Sequence, residues 1–257
     1  TVHTLSILEE RFPGVDWRPH DHVLTRPVAR KDPGEIASIT KAQRVTEAVF
    51  ETIVDRLQAG RTEKEVAAEI VYEHLRRGAD KMSFDPIVAA GPNAAKPHAR
   101  PTDRQIQQGE MVVIDMGCFV EGYASDMTRT VAVGDPPPAA REGYDAVLRA
   151  QRAALAAARA GLTGQELDAA ARSVLEEAGL GEAFSHSLGH GVGLQIHEWP
   201  RVSQTSEEEL PLNACITIEP GVYVPEEGYG VRIEDLVVLR EDGCENLTRT
   251  AKDLLIV

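Results

Sequence analysis

Two stretches of the chain, 101 residues apart, open helices in the same way. Thr62-Glu63-Lys64-Glu65 and Thr163-Gly164-Gln165-Glu166 each place a hydroxyl N-cap three residues ahead of a glutamate, the reciprocal pairing that satisfies free amides in a first helical turn. Another helical stretch precedes each of them. Asp32-Pro33-Gly34-Glu35 supplies an N-cap, a proline at the first helical position and a glutamate at the third, opening a helix that runs to about Gly60. After Pro136-Pro137-Pro138 an alanine-rich stretch reads as a helix to about Ala160. The helix at Thr62 carries Val66, Ile70, Val71, His74 and Leu75 at helical spacing and stops at Gly78. Strand-forming segments then follow in both cases, from about Met111 to Val133 and from about Cys215 to Leu239. A helix-helix-sheet unit that occurs twice predicts an α+β fold with pseudo-twofold symmetry, its helices on one face of a largely antiparallel sheet. Residues 1–30 fall outside both halves: Leu5 to Phe12 reads as a short apolar helix, and the remainder as an extended linker containing proline and histidine.

The strands carry acids where a core would not. Met111-Val112-Val113-Ile114 ends in Asp115, a second strand holds Ser125-Asp126-Met127-Thr128, and Glu121-Gly122 lies at the bend. A turn centred between Val120 and Glu121 would set Asp115 opposite Asp126. In the second half Ile216-Thr217-Ile218 leads to Glu219 and Val231-Arg232-Ile233 to Glu234, and a turn centred between Glu226 and Glu227 pairs those two. Directly opposed residues on antiparallel strands have Cβ atoms roughly 4.5–5.5 Å apart, so each pair repels unless it shares a proton or a cation. Four carboxylates carry −4 and two divalent ions +4, so a two-metal site would neutralise the cluster.

With 27 basic and 41 acidic residues the formal charge is −14, which excludes a basic nucleic-acid binder. No stretch approaches the ~18–20 uncharged apolar residues of a membrane helix, and no signal-peptide pattern opens the chain, so no membrane partner is expected and the cytoplasm is the expected compartment. Cys118, Cys215 and Cys244 show no CxxC spacing and read as small buried residues.

His190 lies in Gly189-His190-Gly191-Val192-Gly193-Leu194, where the glycines let the backbone approach another segment closely and an imidazole can be a ligand. Oxygen-rich coordination with one imidazole suits manganese, iron, cobalt or zinc better than magnesium or calcium. His98 follows the loop Gly91–Pro97, and His197 stands seven residues after His190; both could donate to a substrate or an oxyanion. His186 stands four residues before His190. His3, His20, His22 and His74 read as surface or structural residues, and Lys96 as a solvated lysine.

From about Asp32 to Val257 these motifs resemble the pita-bread metallopeptidases, which include methionine aminopeptidases, Xaa-Pro aminopeptidases and Xaa-Pro dipeptidases. The resemblance rests on GPNAAKPH (91–98), VIDMG (113–117), GYASDMTRT (122–130), GHGVGLQIHE (189–198), TIEPGVY (217–223) and VRIEDLV (231–237). It implies residues 31–257 as a catalytic pita-bread domain and 1–30 as the tail of a preceding domain or a linker. It further implies two divalent ions, manganese first and cobalt, zinc or iron otherwise, held by Asp115, Asp126, His190, Glu219 and Glu234. Asp126 and Glu234 would bridge, Asp115 would chelate one ion, and His190 with Glu219 the other. In that scheme a hydroxide bridging the metals attacks the scissile carbonyl. Glu219 would handle the proton, His98 would stand near the leaving nitrogen, and His197 would stabilise the oxyanion. Arg232 would orient a ligand carboxylate, with Thr128 and His186 beside it or the substrate.

Arg232-Ile233-Glu234-Asp235 resembles the proline-specific branch, and Glu219-Pro220-Gly221-Val222-Tyr223 leans the same way. The function implied is hydrolysis of the bond before proline at the N-terminus of small peptides, by an Xaa-Pro aminopeptidase or dipeptidase. The alternatives are a methionine aminopeptidase-like peptidase or a non-peptidase pita-bread enzyme acting on a small molecule, with a non-catalytic binding module last. A homodimer is expected of the full-length form. Asn213-Ala214 replaces a Gly-Met common before the TIEPG strand, and asparagine can hold the same left-handed turn.

Overall fold

The computed structural model describes residues 1–18 and 23–257, so His20 and His22 lie outside the described residues. Two helices come first, α1 (Val2–Arg11) and α2 (Thr25–Ala29). The first half comprises α3 (Pro33–Val54), α4 (Glu63–Arg76), β1 (Lys81–Met82), β2 (Ile87–Ala90), β3 (Glu110–Met116), β4 (Cys118–Val120), β5 (Tyr123–Ala124) and β6 (Met127–Val133). The second comprises α5 (Pro138–Ala157), α6 (Gly164–Glu177), β7 (Gly189–Gly191), β8 (Glu198–Val202), β9 (Cys215–Ile218), β10 (Gly221–Val224), β11 (Tyr229–Arg232), β12 (Asp235–Leu239) and β13 (Cys244–Asn246). Strand pairings between these elements are antiparallel, in the orders β2-β3-β6, β1-β4-β5, β10-β11 and β13-β12-β9-β7-β8.

Local chemistry sets the helix starts. Asp32, Thr62 and Thr163 each accept a hydrogen bond from the amide three residues on, and Glu35, Glu65 and Glu166 each reach back to the cap amide. In the first half Val49, Phe50, Ile53, Val66 and Ile70 pack on Val88, Val112, Ile114 and Val131; in the second Tyr144, Val147, Leu167 and Leu175 pack on Ile216, Val222, Val231 and Val237. Full burial of such a side chain contributes roughly 1.5–3 kcal/mol, so each half is held by its own helix pair on its own strands. The halves meet where Glu234 N donates to Thr128 O at 3.1 Å and Thr130 Oγ1 bonds both the amide and the carbonyl of Arg232, at 3.0 Å each.

Several boundaries differ from expectation. Helix α3 stops at Val54, not Gly60, because tightened turns at Arg56 and Leu57 swing Leu57 back into the core. Helix α5 ends at Ala157. Helix α1 forms but buries none of its residues. The segment expected to be extended contains α2, which lies beside β8 with the Arg26 guanidinium 5.9 Å from the centre of the Trp199 ring. Cys118 and Cys215 are buried and Cys244 half-buried. His74 is buried, His3 and Lys96 are exposed, and Asn213 adopts a φ of 63°. Among the described residues no helix is long and apolar enough to cross a membrane.

The first hairpin corrects the expected register. Its turn residues are Glu121 (φ 53°) and Gly122 (φ 80°), two left-handed residues that form a two-residue turn one position later than expected. Val120 pairs with Tyr123 and Asp115 with Thr128, so Asp126 lies on the same face as Asp115 but diagonal to it. Glu121 tolerates its conformation with its carboxylate held by Lys41 at 2.8 Å and Ser38 at 3.1 Å on α3. The second hairpin has the expected register: Gly221 pairs with Arg232 and Ile218 with Asp235, which brings Glu219 opposite Glu234.

Candidate metal centre

The carboxylates converge where the two halves meet. Asp126 leads into β6, Glu219 follows β9 and Glu234 joins β11 to β12, while Asp115 is the penultimate residue of β3, paired with Thr128 of β6. Ligand atoms of Asp126, His190 and Glu234 lie within 4.8 Å of one another. His190 reaches them because Gly189 lets β7 press against the Thr217 backbone and Gly191 lets it press on that of Trp199, approaches that no Cβ could share.

Hydrogen bonding orients the His190 ring. Nδ1 lies 3.1 Å from the Gly191 carbonyl, which requires an N–H there, so Nε2 of the neutral ring carries a lone pair. Burial holds the ring's pKa below the usual histidine value, which keeps it neutral. That lone pair faces Asp126 Oδ2 at 3.5 Å and Glu219 Oε1 at 3.4 Å. Three electron-rich atoms turned towards one point are a cation's environment.

The carboxyls carry the same message. Burial, then the negative charges of Glu234, Asp115 and Glu219, push the Asp126 carboxyl well above the ordinary carboxylate range. Burial, Glu219 and Asp115 do the same to Glu234, against the hydrogen bond from Thr128 and the charge of Arg232. Glu219 is pushed up to about 7, by burial first and by Asp115, with Arg232 and Thr217 pulling it down. Asp115 Oδ1 is buried without a hydrogen-bond partner. Such a cluster either retains protons or takes up divalent cations, and the donor set of one imidazole and four carboxylates fits the latter.

Outer contacts fix the inner ones. Arg232 donates to Asp115 Oδ2 at 2.6 Å, Thr128 Oγ1 at 3.1 Å, Tyr223 Oη at 2.7 Å and the Pro97 carbonyl at 3.2 Å. Thr128 Oγ1 donates in turn to Glu234 Oε2 at 2.7 Å. Thr217 Oγ1 accepts from the His190 amide and donates to Glu219 Oε1, both at 3.0 Å. His186 approaches the cluster only indirectly: its Nε2 meets Tyr223 Oη at 3.0 Å, and its Nδ1 the Ser187 carbonyl at 2.8 Å. Burial, then the Arg232 cation, lower its pKa to about 3 and keep it neutral.

A cavity of about 1220 Å³ opens over the cluster, and His98, His186 and His197 all line it. The His197 ring packs edge-on against His190 with centres 4.3 Å apart. His98 follows Pro97, whose carbonyl Arg232 holds. Sequence reasoning missed Thr217 and Tyr223 as site residues. Thr217 could have been found, since it stands two residues before Glu219 on the same strand face. The role of Tyr223 depends on His186, 37 residues away, and has no local signal.

Comparison with known proteins matches residues 37–241 to metallopeptidase family M24. The chain is 47% identical over 221 residues to an Xaa-Pro dipeptidase of Pyrococcus furiosus, an alignment covering 86% of this chain and 63% of that protein. The chain thus spans less than two thirds of that relative's length. Among solved structures, an X-Pro aminopeptidase from Thermotoga maritima superposes with a TM-score of 0.94 at 39% identity, over 100% of this chain and 73% of its own. An Xaa-Pro dipeptidase from Bacillus anthracis superposes with a TM-score of 0.96 at 38% identity, over 100% of this chain and 72% of its own.

Proposed function

Because the chain belongs to metallopeptidase family M24, we propose that residues 31–257 are the catalytic domain of a metal-dependent exopeptidase that cleaves the bond before proline in small peptides. The observation that carries this reading is that Asp126 and Glu219 face the lone-pair side of a neutral His190, with Glu234 in the same group of ligand atoms and Asp115 lining the same open cavity. Asp115, Asp126, His190, Glu219 and Glu234 would hold two divalent ions, with manganese the first candidate. Such ions would lower the pKa of the attacking water and polarise the scissile carbonyl. Glu219, which lines the cavity beside His190, would take the proton from that water and pass it to the leaving nitrogen. His98 and His197, on the cavity wall, would serve the leaving imide and the developing oxyanion. Arg232 keeps Asp115 in position and reaches the loop that carries His98, through the Pro97 carbonyl. The proline preference draws on the Arg232-Ile233-Glu234-Asp235 run and on the names of the relatives, at 38–47% identity. A prolyl nitrogen offers no N–H, so this site must act on the carbonyl and the imide without that handle.

The test is hydrolysis of Ala-Pro, Ala-Pro-Ala and Met-Ala-Ser by the manganese-loaded protein, with an EDTA control. EDTA-sensitive cleavage of either proline peptide is expected, and their ratio separates dipeptidase from aminopeptidase. Cleavage of Met-Ala-Ser alone would contradict the proline assignment.

A further inference from the structure

Lys31 sits just ahead of the duplicated fold, yet it is among the most buried charged residues, 2% exposed. Its ammonium donates to the Glu198 carboxylate and to the carbonyls of Val28, at 2.9 Å, and Ala29, at 3.4 Å. Glu198 is the residue after His197, and its other oxygen accepts from the Gln195 amide at 3.3 Å. Gly193 crosses this pair so closely that a Cβ there would stand 2.6 Å from Lys31 Cε and 2.8 Å from Glu198 Oε1. The loop 193–198 is therefore tied at both ends. At the first, Val192 N donates to Cys215 O at 3.0 Å and Gly193 O accepts from Ala124 N at 2.9 Å; at the second stands the charge pair. His197 hangs between, its ring against His190.

A buried ion pair adds little to stability over apolar side chains of the same volume, but it does fix the relative position of the segments that carry it. We infer that Lys31 is a positioning residue, which through Glu198 holds His197 over the carboxylate–histidine cluster. The segment before the duplicated fold is then a working part of the site. Helix α2, whose carbonyls take the other two Lys31 bonds, adds Thr25 to the cavity wall. The inference rests on the reading of His197 as a residue of the peptidase site.

The experiment is a double-mutant cycle with a spectroscopic arm. In the metal-loaded protein Lys31→Met should lower kcat for Ala-Pro about 10- to 100-fold, the effect of a misplaced group near the reacting atoms, with KM and bound metal little changed. In a His197→Ala background the same substitution should cost almost nothing more; an equal loss in both backgrounds would overturn the inference. In the second arm, read on the zinc-loaded protein so that no paramagnetic ion broadens nearby rings, the His197 imidazole resonance, identified by its absence from His197→Ala, should shift or broaden in Lys31→Met while that of His74 stays in place. An unmoved His197 resonance would overturn the inference even if no Xaa-Pro peptide is cleaved, a result that by itself defeats only the proposed function. If Lys31→Met does not fold, Lys31→Met/Glu198→Leu replaces the pair by apolar side chains, and the same two readouts apply.

Discussion

The two halves each deliver two carboxylates to the same point, but they hold them differently. In the first half a tight turn at Glu121-Gly122 staggers Asp115 and Asp126 diagonally across one strand face, and Asp115 is steadied by Arg232 from the other half. In the second half a wider connection sets Glu219 opposite Glu234; Glu219 is steadied by Thr217 of its own strand, and Glu234 by Thr128 of the first half. Duplication therefore supplies the acids, whereas hydrogen bonds crossing between the halves position one acid in each. Neither half alone could hold the cluster in this arrangement.

The largest effect should come from breaking the junction itself. Asp126→Ala and Glu234→Ala remove one acid from each half, and either should abolish bound metal and lower activity by more than the roughly 10–100-fold expected from loss of an outer contact. Metal analysis and peptide hydrolysis check this, and an active, metal-loaded variant would refute it.

Next in size is the pH dependence of the metal-free protein. Glu219 has a folded pKa of about 7 against an ordinary 4.5, so the folded state binds more protons across that window. Stability should fall as pH rises through it, as the coupled carboxyls of the cluster lose protons together. His74 acts with the opposite sign. Burial lowers its pKa to about 4, so stability is full above its ordinary value of 6.5 and falls as pH drops towards 4. His74 charges in both forms of the protein, so the difference between chelated and loaded melting temperatures isolates the carboxylates and should widen from pH 5 to pH 8. A constant difference would show that the cluster does not repel itself.

Arg232→Lys probes the contact from the second half to the first. A lysine cannot reproduce four bonds from one planar fork, so metal affinity should fall about 10–100-fold while the fold persists. A metal titration followed by calorimetry would measure this. Smallest are the helix caps. Thr62→Ala and Thr163→Ala should each cost about 1 kcal/mol and leave activity unchanged, since the two capping boxes have the same bonds. Unequal costs on denaturant unfolding would show that the halves are less alike than their cap geometry.

What was legible in the sequence was local. The three capping boxes, the close approach allowed at Gly189 and the left-handed Asn213 each depend on a few neighbouring residues, and each has its expected form. The second hairpin register followed from its turn. The first did not, because a glutamate at φ 53° is held by Lys41 and Ser38 on a helix some 80 residues earlier, which no turn propensity reports. The same reason hides Tyr223 between His186 and Arg232, and Lys31 against Glu198. The five proposed ligands could be named from motif resemblance, while what steadies them lies in long-range contacts.

The most direct test of the account is the number of divalent ions per chain, measured by metal analysis after manganese loading and removal of excess. Two ions are expected in the wild-type protein, with a net gain in melting temperature on loading. A single ion, or none, in a folded protein would contradict the claim that both halves contribute to one dinuclear centre.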